Sequence, residues 1–102
     1  MKTEYQRLEH QLFSSELIFE WQKIQAALPG VYVLYVKPCN NRVIDEPVYI
    51  GLSVSIRRRV GEHWGWSKAF RYLQIENSKL REGFEKYLIR RYRPTYNITH
   101  NF

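Results

Sequence analysis

Residues 29–51 read PGVYVLYVKPCNNRVIDEPVYIG, and the fold turns on this stretch. Val31–Val36 (VYVLYV) is a short run of β-branched and aromatic residues, the pattern of a buried strand. Pro47–Gly51 (PVYIG) has the composition of its hairpin partner. The intervening KPCNNRVIDE is the connecting loop, with turn chemistry at Asn40-Asn41. Pro29-Gly30 breaks the preceding element and opens the first strand.

Upstream, Leu17, Ile18, Trp21, Ile24 and Leu28 fall at helical spacing. They predict an amphipathic helix from Phe13 to Leu28, with Ser14 as N-cap and Phe13 stapling against Ile18. Downstream, Ser53 or Ser55 can cap a helix with Ile56, Val60 and His63 on one side, ended by Trp64-Gly65-Trp66. Ala69–Ile75 (AFRYLQI) alternates as a third strand. Asn77 or Ser78 caps a final helix that turns Leu80, Phe84, Leu88 and Ile89 inward; Pro94 stops it, and the tail runs extended.

The bulk properties fit one folded unit. At 102 residues, 44% apolar and 25% charged, the chain suits a single globular domain and not a disordered segment. Sixteen Lys and Arg against ten Asp and Glu give a net charge of +6, which favours a polyanionic partner, nucleic acid or an acidic membrane surface, over no partner at all. No apolar stretch approaches the roughly 18 residues of a membrane span, and Met1–Gln11 lacks a signal-peptide core. The expectation is a soluble, intracellular, cytoplasmic protein with no membrane partner. Cys39 is the only cysteine, so there is no internal disulfide and no Cys-rich zinc cage; it reads as a loop residue without a role.

Gly30-Val31-Tyr32 followed by Tyr49-Ile50-Gly51 resembles the paired tripeptides of the GIY-YIG nucleases. The likeness continues in that family's order and approximate spacing through Ile56, Arg59, His63, Glu85 with Leu88-Ile89, Pro94 and Asn97. It covers residues 30–97 of 102 and is similar to both the excision-repair and the homing-endonuclease branches. The resemblance implies an α+β fold: a small three-stranded antiparallel sheet flanked by helices, occupying 29–102 after an N-terminal helical extension, 1–28. It also implies a single divalent cation, Mg²⁺ or Mn²⁺, and hydrolysis of phosphodiester bonds in DNA. The site residues it implies are Tyr32, Tyr49, Arg59, His63, Glu85 and Asn97, with Glu85 on the metal. One departure is Leu52, where many relatives carry a polar or basic residue that can contact phosphate. Family members usually work with an attached DNA-binding or regulatory domain. With none in these 102 residues, the N-terminal helices are expected to supply a DNA surface or a homodimer contact.

The same residues make chemical sense without the family. Phosphodiester hydrolysis needs an activated water, charge stabilisation and a held leaving group. Glu85, beside the apolar face marked by Phe84 and Leu88, can offer an oxygen ligand to a hard cation, or instead pair with Arg81 one turn away. Arg59 has the planar fork to clamp two phosphate oxygens. His63, one turn on, either joins Arg59 in facing the phosphate or is a core histidine. Arg57 and Arg58 read as contacts to neighbouring DNA phosphates, a solvated basic face, or partners for Glu62.

Tyr32 and Tyr49 on adjacent strands can converge on one point. Either one, with its pKa lowered by Arg59 and a metal, could take or orient the water's proton; the alternative is strand packing. Asn97 either pins the tail to a backbone carbonyl or supports the site. Trp64, Trp66 and Tyr72 stack on bases or close the core. The leading expectation is a DNA endonuclease, phage-borne or from a mobile element. A catalytically silent nucleic-acid-binding module and a helper subunit are the alternatives.

Overall fold

The central strand owes its uninterrupted apolar sequence to burial on both sides. In a computed structural model, which describes residues 3–25, 27–36, 47–63 and 67–100, β1 (Gly30–Val36) lies between β2 (Tyr49–Ser53) and β3 (Ser67–Gln74), antiparallel to both. Alternate residues of β1 feed two separate cores. Val31, Val33 and Tyr35 join Leu12, Ile50, Phe84 and Leu88 under α1 (Glu4–Ser14) and α3 (Ser78–Tyr92). Tyr32 and Leu34 join Ile24, Leu28, Tyr49, Ile56, Val60 and Phe70 on the opposite face, against α2 (Ile56–Glu62).

The caps explain where these helices begin. Asn77 accepts the Leu80 N–H at 2.9 Å and starts α3 as the sequence predicts. Arg93 ends it in the left-handed region, at φ 45°. Before α2, Ser55 holds the N-cap position while the Ser53 hydroxyl takes the Ser55 N–H at 2.9 Å.

Three expectations are corrected. The predicted helix over 13–28 does not form; the helix is α1, opened by a capping box in which Thr3 accepts from the Gln6 N–H and the Gln6 side chain accepts from the Thr3 N–H. A helix can bury one stripe, but Phe13–Leu28 serves two cores. Phe13 and Leu17 pack on the α1–α3 side, whereas Ile18, Trp21, Ile24 and Leu28 pack on the α2 side, so the chain must run extended around the sheet edge. Ile18 does so by a two-bond bridge to Phe70 (2.8 and 3.0 Å), and Trp21–Lys23 forms a short 3₁₀ helix.

The tail, expected to be extended, is a helix, α4 (Thr95–His100). Buried Pro94 follows the left-handed Arg93 and restarts helical geometry, so that α4 lies along the free edge of β2. Arg81, named as an alternative partner for Glu85, is instead buried; its guanidinium donates to the carbonyls of Ile75 (3.0 Å) and Glu76 (3.1 Å), closing the turn from β3 into α3. The loop with Cys39, and Trp64-Gly65-Trp66, lie outside the described residues. Among the described residues no helix is long and apolar enough to cross a membrane.

Candidate functional site

The pairing of β1 with β2 sets Tyr32 opposite Gly51 and Leu34 opposite Tyr49, so the two tyrosines stand diagonally on the α2 face of the sheet. Their ring centroids are 6.1 Å apart. His63, at the C-terminal end of α2, brings its imidazole 4.9 Å from the Tyr49 ring and 6.3 Å from that of Tyr32. Three aromatic rings thus close a triangle, with Arg59 one turn back on α2 at its rim.

The glycines of both tripeptides are required by close approach. A Cβ on Gly51 would lie 2.5 Å from the Tyr32 hydroxyl oxygen and 2.9 Å from the Tyr49 ring. A Cβ on Gly30 would overlap the Leu73 carbonyl and come within 2.8 Å of Ile56 Cδ1, where α2 seats on the sheet. Any side chain at 51 would displace the tyrosines themselves.

Electrostatics separates the members of the cluster. Tyr32 is fully buried, and its hydroxyl faces Tyr49 and the Arg59 guanidinium. Burial is the main influence on its phenol and, with Tyr49, pushes the pKa well above its ordinary value of 10.0; Arg59 works against this and loses. Arg59 alone, without the metal that the expected lowering of a tyrosine pKa also invoked, does not outweigh desolvation at Tyr32. His63 moves the other way for a cation, its pKa lowered from 6.5 by burial first and then by Arg59, although Glu62 opposes. Its imidazole is neutral at pH 7.

Glu62 is the member that sequence reading underrated. It accepts hydrogen bonds from both Arg58 (3.3 Å) and Arg59, so the guanidinium suited to phosphate is already held by a carboxylate. The spacing of Arg59 and Glu62, three apart on a helix, is the signal that could have revealed it.

Glu85 comes from α3, beneath the other face, and reaches the free edge of the sheet, where the Leu52 N–H lies next to Gly51. Burial raises its carboxyl above 4.5; Glu82 adds to this, while Lys86 and the Leu52 N–H oppose it. The alternative pairing with Arg81 does not form among the described residues. No group of three or more His, Cys, Asp or Glu that could hold a metal occurs among the described residues. A half-buried single carboxylate still fits a hard cation that keeps most of its water shell.

Asn97 clamps β2 from α4. Its Oδ1 accepts the Ile50 N–H at 2.7 Å and its Nδ2 donates to the Ile50 carbonyl at 2.8 Å, directly beside Tyr49. Tyr72 pairs across from Tyr32 and, partly buried, packs against Phe70 at the margin of the core.

This geometry has counterparts. The GIY-YIG N-terminal endonuclease domain of UvrC from Thermotoga maritima, bound to magnesium, superposes with a TM-score of 0.53 at 24% identity, over 71% of this chain and 85% of that one. A point mutant of the same domain bound to its catalytic divalent cation matches at TM-score 0.54 and 22% identity, over 70% and 83%. The chain has the GIY-YIG fold. The tripeptides GVY and YIG therefore occupy the paired strands that a GIY-YIG sheet provides, with α2 and α3 on opposite faces of it. UvrABC system protein C of Finegoldia magna is 31% identical over 83 residues, 69% of this chain, and the chain spans only 13% of that protein's length. No family model matches the sequence.

Proposed function

We propose that this GIY-YIG domain is a metal-dependent endonuclease that hydrolyses phosphodiester bonds in DNA. The observation that carries the reading is the Tyr32–Tyr49–His63 triangle with Arg59 at its rim: proton-handling groups and a phosphate-binding cation brought to one point by three different elements. The +6 charge supports a polyanionic substrate.

In this mechanism the scissile phosphate displaces Glu62 and takes the Arg59 fork through two oxygens, where the guanidinium offsets the charge that grows in the transition state. Tyr32 stays protonated and donates toward a phosphate oxygen or the water from its buried hydroxyl. Tyr49 orients the attacking water, and the neutral imidazole of His63, against the Tyr49 ring, accepts the proton. Glu85 would hold Mg²⁺ or Mn²⁺, which when bound supplies Lewis-acid stabilisation of the leaving oxygen. Asn97 acts through the backbone, keeping Tyr49 in register.

A second reading, a DNA-binding module without chemistry, is favoured by one observation: Arg59 is already neutralised by Glu62. Plasmid incubated with the protein and Mg²⁺ or Mn²⁺ separates the two. Metal-dependent nicking that Arg59→Lys largely abolishes, with the fold kept, supports the nuclease, since a point charge cannot replace a bidentate clamp. Binding without nicking in either metal leaves the module as the correct reading.

A further inference from the structure

The mechanism leaves unused the other flank of α2, where Trp21, Ser55, Arg57, Arg58, Gly61 and Glu62 line an open groove of about 470 Å³. Trp21 comes from the 3₁₀ turn, outside the stretch that resembles the family. Its ring is seated over Gly61, where a Cβ would stand 3.3 Å from the ring carbons. The Arg57 guanidinium lies over the same ring, 5.9 Å from its centroid. Arg58 projects into solvent, with 79% of its side chain exposed, and the groove's single carboxylate, Glu62, is already shared between Arg58 and Arg59. The result is a partly buried aromatic wall with two cations beside it and no unpaired negative charge.

We propose that Trp21, Arg57 and Arg58 form a stacking subsite for one unpaired base of the DNA strand whose phosphate is held at Arg59, an inference that rests on the nuclease reading and gives it a substrate preference. Indole stacks on any base, while guanidinium groups hold the flanking phosphates. In a continuous duplex each base face is covered by its neighbours, so only an unpaired or unstacked nucleotide can offer a face to Trp21. The reach is right. Arg59 and the groove share a helix of seven residues, about 10 Å long, and a strand advances about 3.4 Å per nucleotide, so the stacked base lies within about three nucleotides of the scissile phosphate. The protein therefore prefers DNA with a single-stranded segment beside the cut to fully paired DNA.

The test uses the whole chain in chelator, with fluorescence anisotropy on three labelled probes: a 20-base-pair duplex, the same duplex with a five-nucleotide single-stranded tail, and that tailed duplex with abasic tail sites. The parent protein binds the tailed duplex roughly 5- to 150-fold more tightly than the other two, the range expected for stacking one base. Trp21→Leu, which keeps an apolar side chain on Gly61, loses that preference and binds plain duplex as the parent does. Trp21→Phe retains most of it, which guards against a folding artefact in the leucine variant. Equal binding of tailed and abasic probes by the parent, or an undiminished preference in a folded Trp21→Leu variant, overturns the subsite. So does sedimentation showing a parent dimer that Trp21→Leu dissolves, because the groove would then belong to a second copy. Cleavage is not part of this measurement. An intact tail preference in a protein that never nicks plasmid condemns the nuclease reading alone, and nicking without tail preference condemns the subsite alone.

Discussion

Replacing Asn97 by alanine removes a clamp whose size the geometry sets. Two hydrogen bonds, at 2.7 and 2.8 Å, tie its amide to the N–H and C=O of Ile50, a residue with no exposed surface. A typical bond of this kind contributes about 1 kcal/mol net, and an orphaned buried N–H costs about 1–3 kcal/mol, so the variant should lose about 2–3 kcal/mol. For a domain of this length each kcal/mol corresponds to roughly 4–8 °C, which puts the fall in melting temperature at about 8–24 °C. Circular dichroism melts with a parallel urea titration measure it, the urea slope staying constant if only stability changes. Asn97→Asp should be no better, since the carboxylate keeps the acceptor but turns a negative charge on the Ile50 carbonyl. Because Ile50 adjoins Tyr49, plasmid nicking measured well below the melting point should also drop. An Asn97→Ala protein melting within about 2 °C of the parent would refute the clamp, and with it the argument that Asn97 acts through β2.

Glu85→Gln should cut plasmid at least a hundredfold more slowly at saturating Mg²⁺, about 2.7 kcal/mol of lost stabilisation, while DNA binding in chelator persists; an unchanged rate would remove Glu85 from the metal site. Glu62→Gln releases Arg59 and should tighten DNA binding at low salt, a gain that shrinks as salt rises; unchanged affinity would mean that Glu62 does not compete with phosphate. Glu9 accepts hydrogen bonds from Tyr87, Tyr92 and Arg91, which together outweigh desolvation and hold its carboxyl below 4.5. A depressed carboxyl stabilises above the unfolded value and loses that contribution as pH falls through the folded one. Glu9→Gln should therefore melt about 4–8 °C lower at pH 7, for a loss of roughly 1 kcal/mol in a cluster open to solvent, with the gap narrowing as pH falls below 4.5. An equal gap at pH 3 and pH 7 would contradict the linkage.

The parts of the fold legible in the sequence were those with one dominant local signal. Val31–Val36 could only be a strand, and Asn77 announced α3 through its spacing to a regular apolar stripe. Tyr32 and Tyr49 share a face because strand period and register are simple integers. Phe13–Leu28 defeated the same reasoning because its apolar residues divide between two cores, and helical spacing records hydrophobicity without recording which core receives it. α4 is held largely by long-range bonds, from Tyr96 to Val48 and from Asn97 to Ile50, to which no local pattern points. The raised pKa of Tyr32 follows from complete burial, a property of the packed structure that a count of nearby charges does not contain.

Both margins of the sheet are closed by segments that are not strands of it. On one side Ile18 supplies two bonds to β3; on the other, Tyr96 and Asn97 satisfy Val48 and Ile50. An open β-edge is a template for pairing with another chain, and a three-stranded sheet has proportionately more edge than a large one. These two short segments cover edge groups that would otherwise be open to pairing. A truncation past Ile18, or one removing residues 95–100, would keep Tyr32, Tyr49, Arg59, His63 and Glu85 in the sequence but present a bare strand. The expected failure of such a fragment is precipitation on folding, before any question of activity arises.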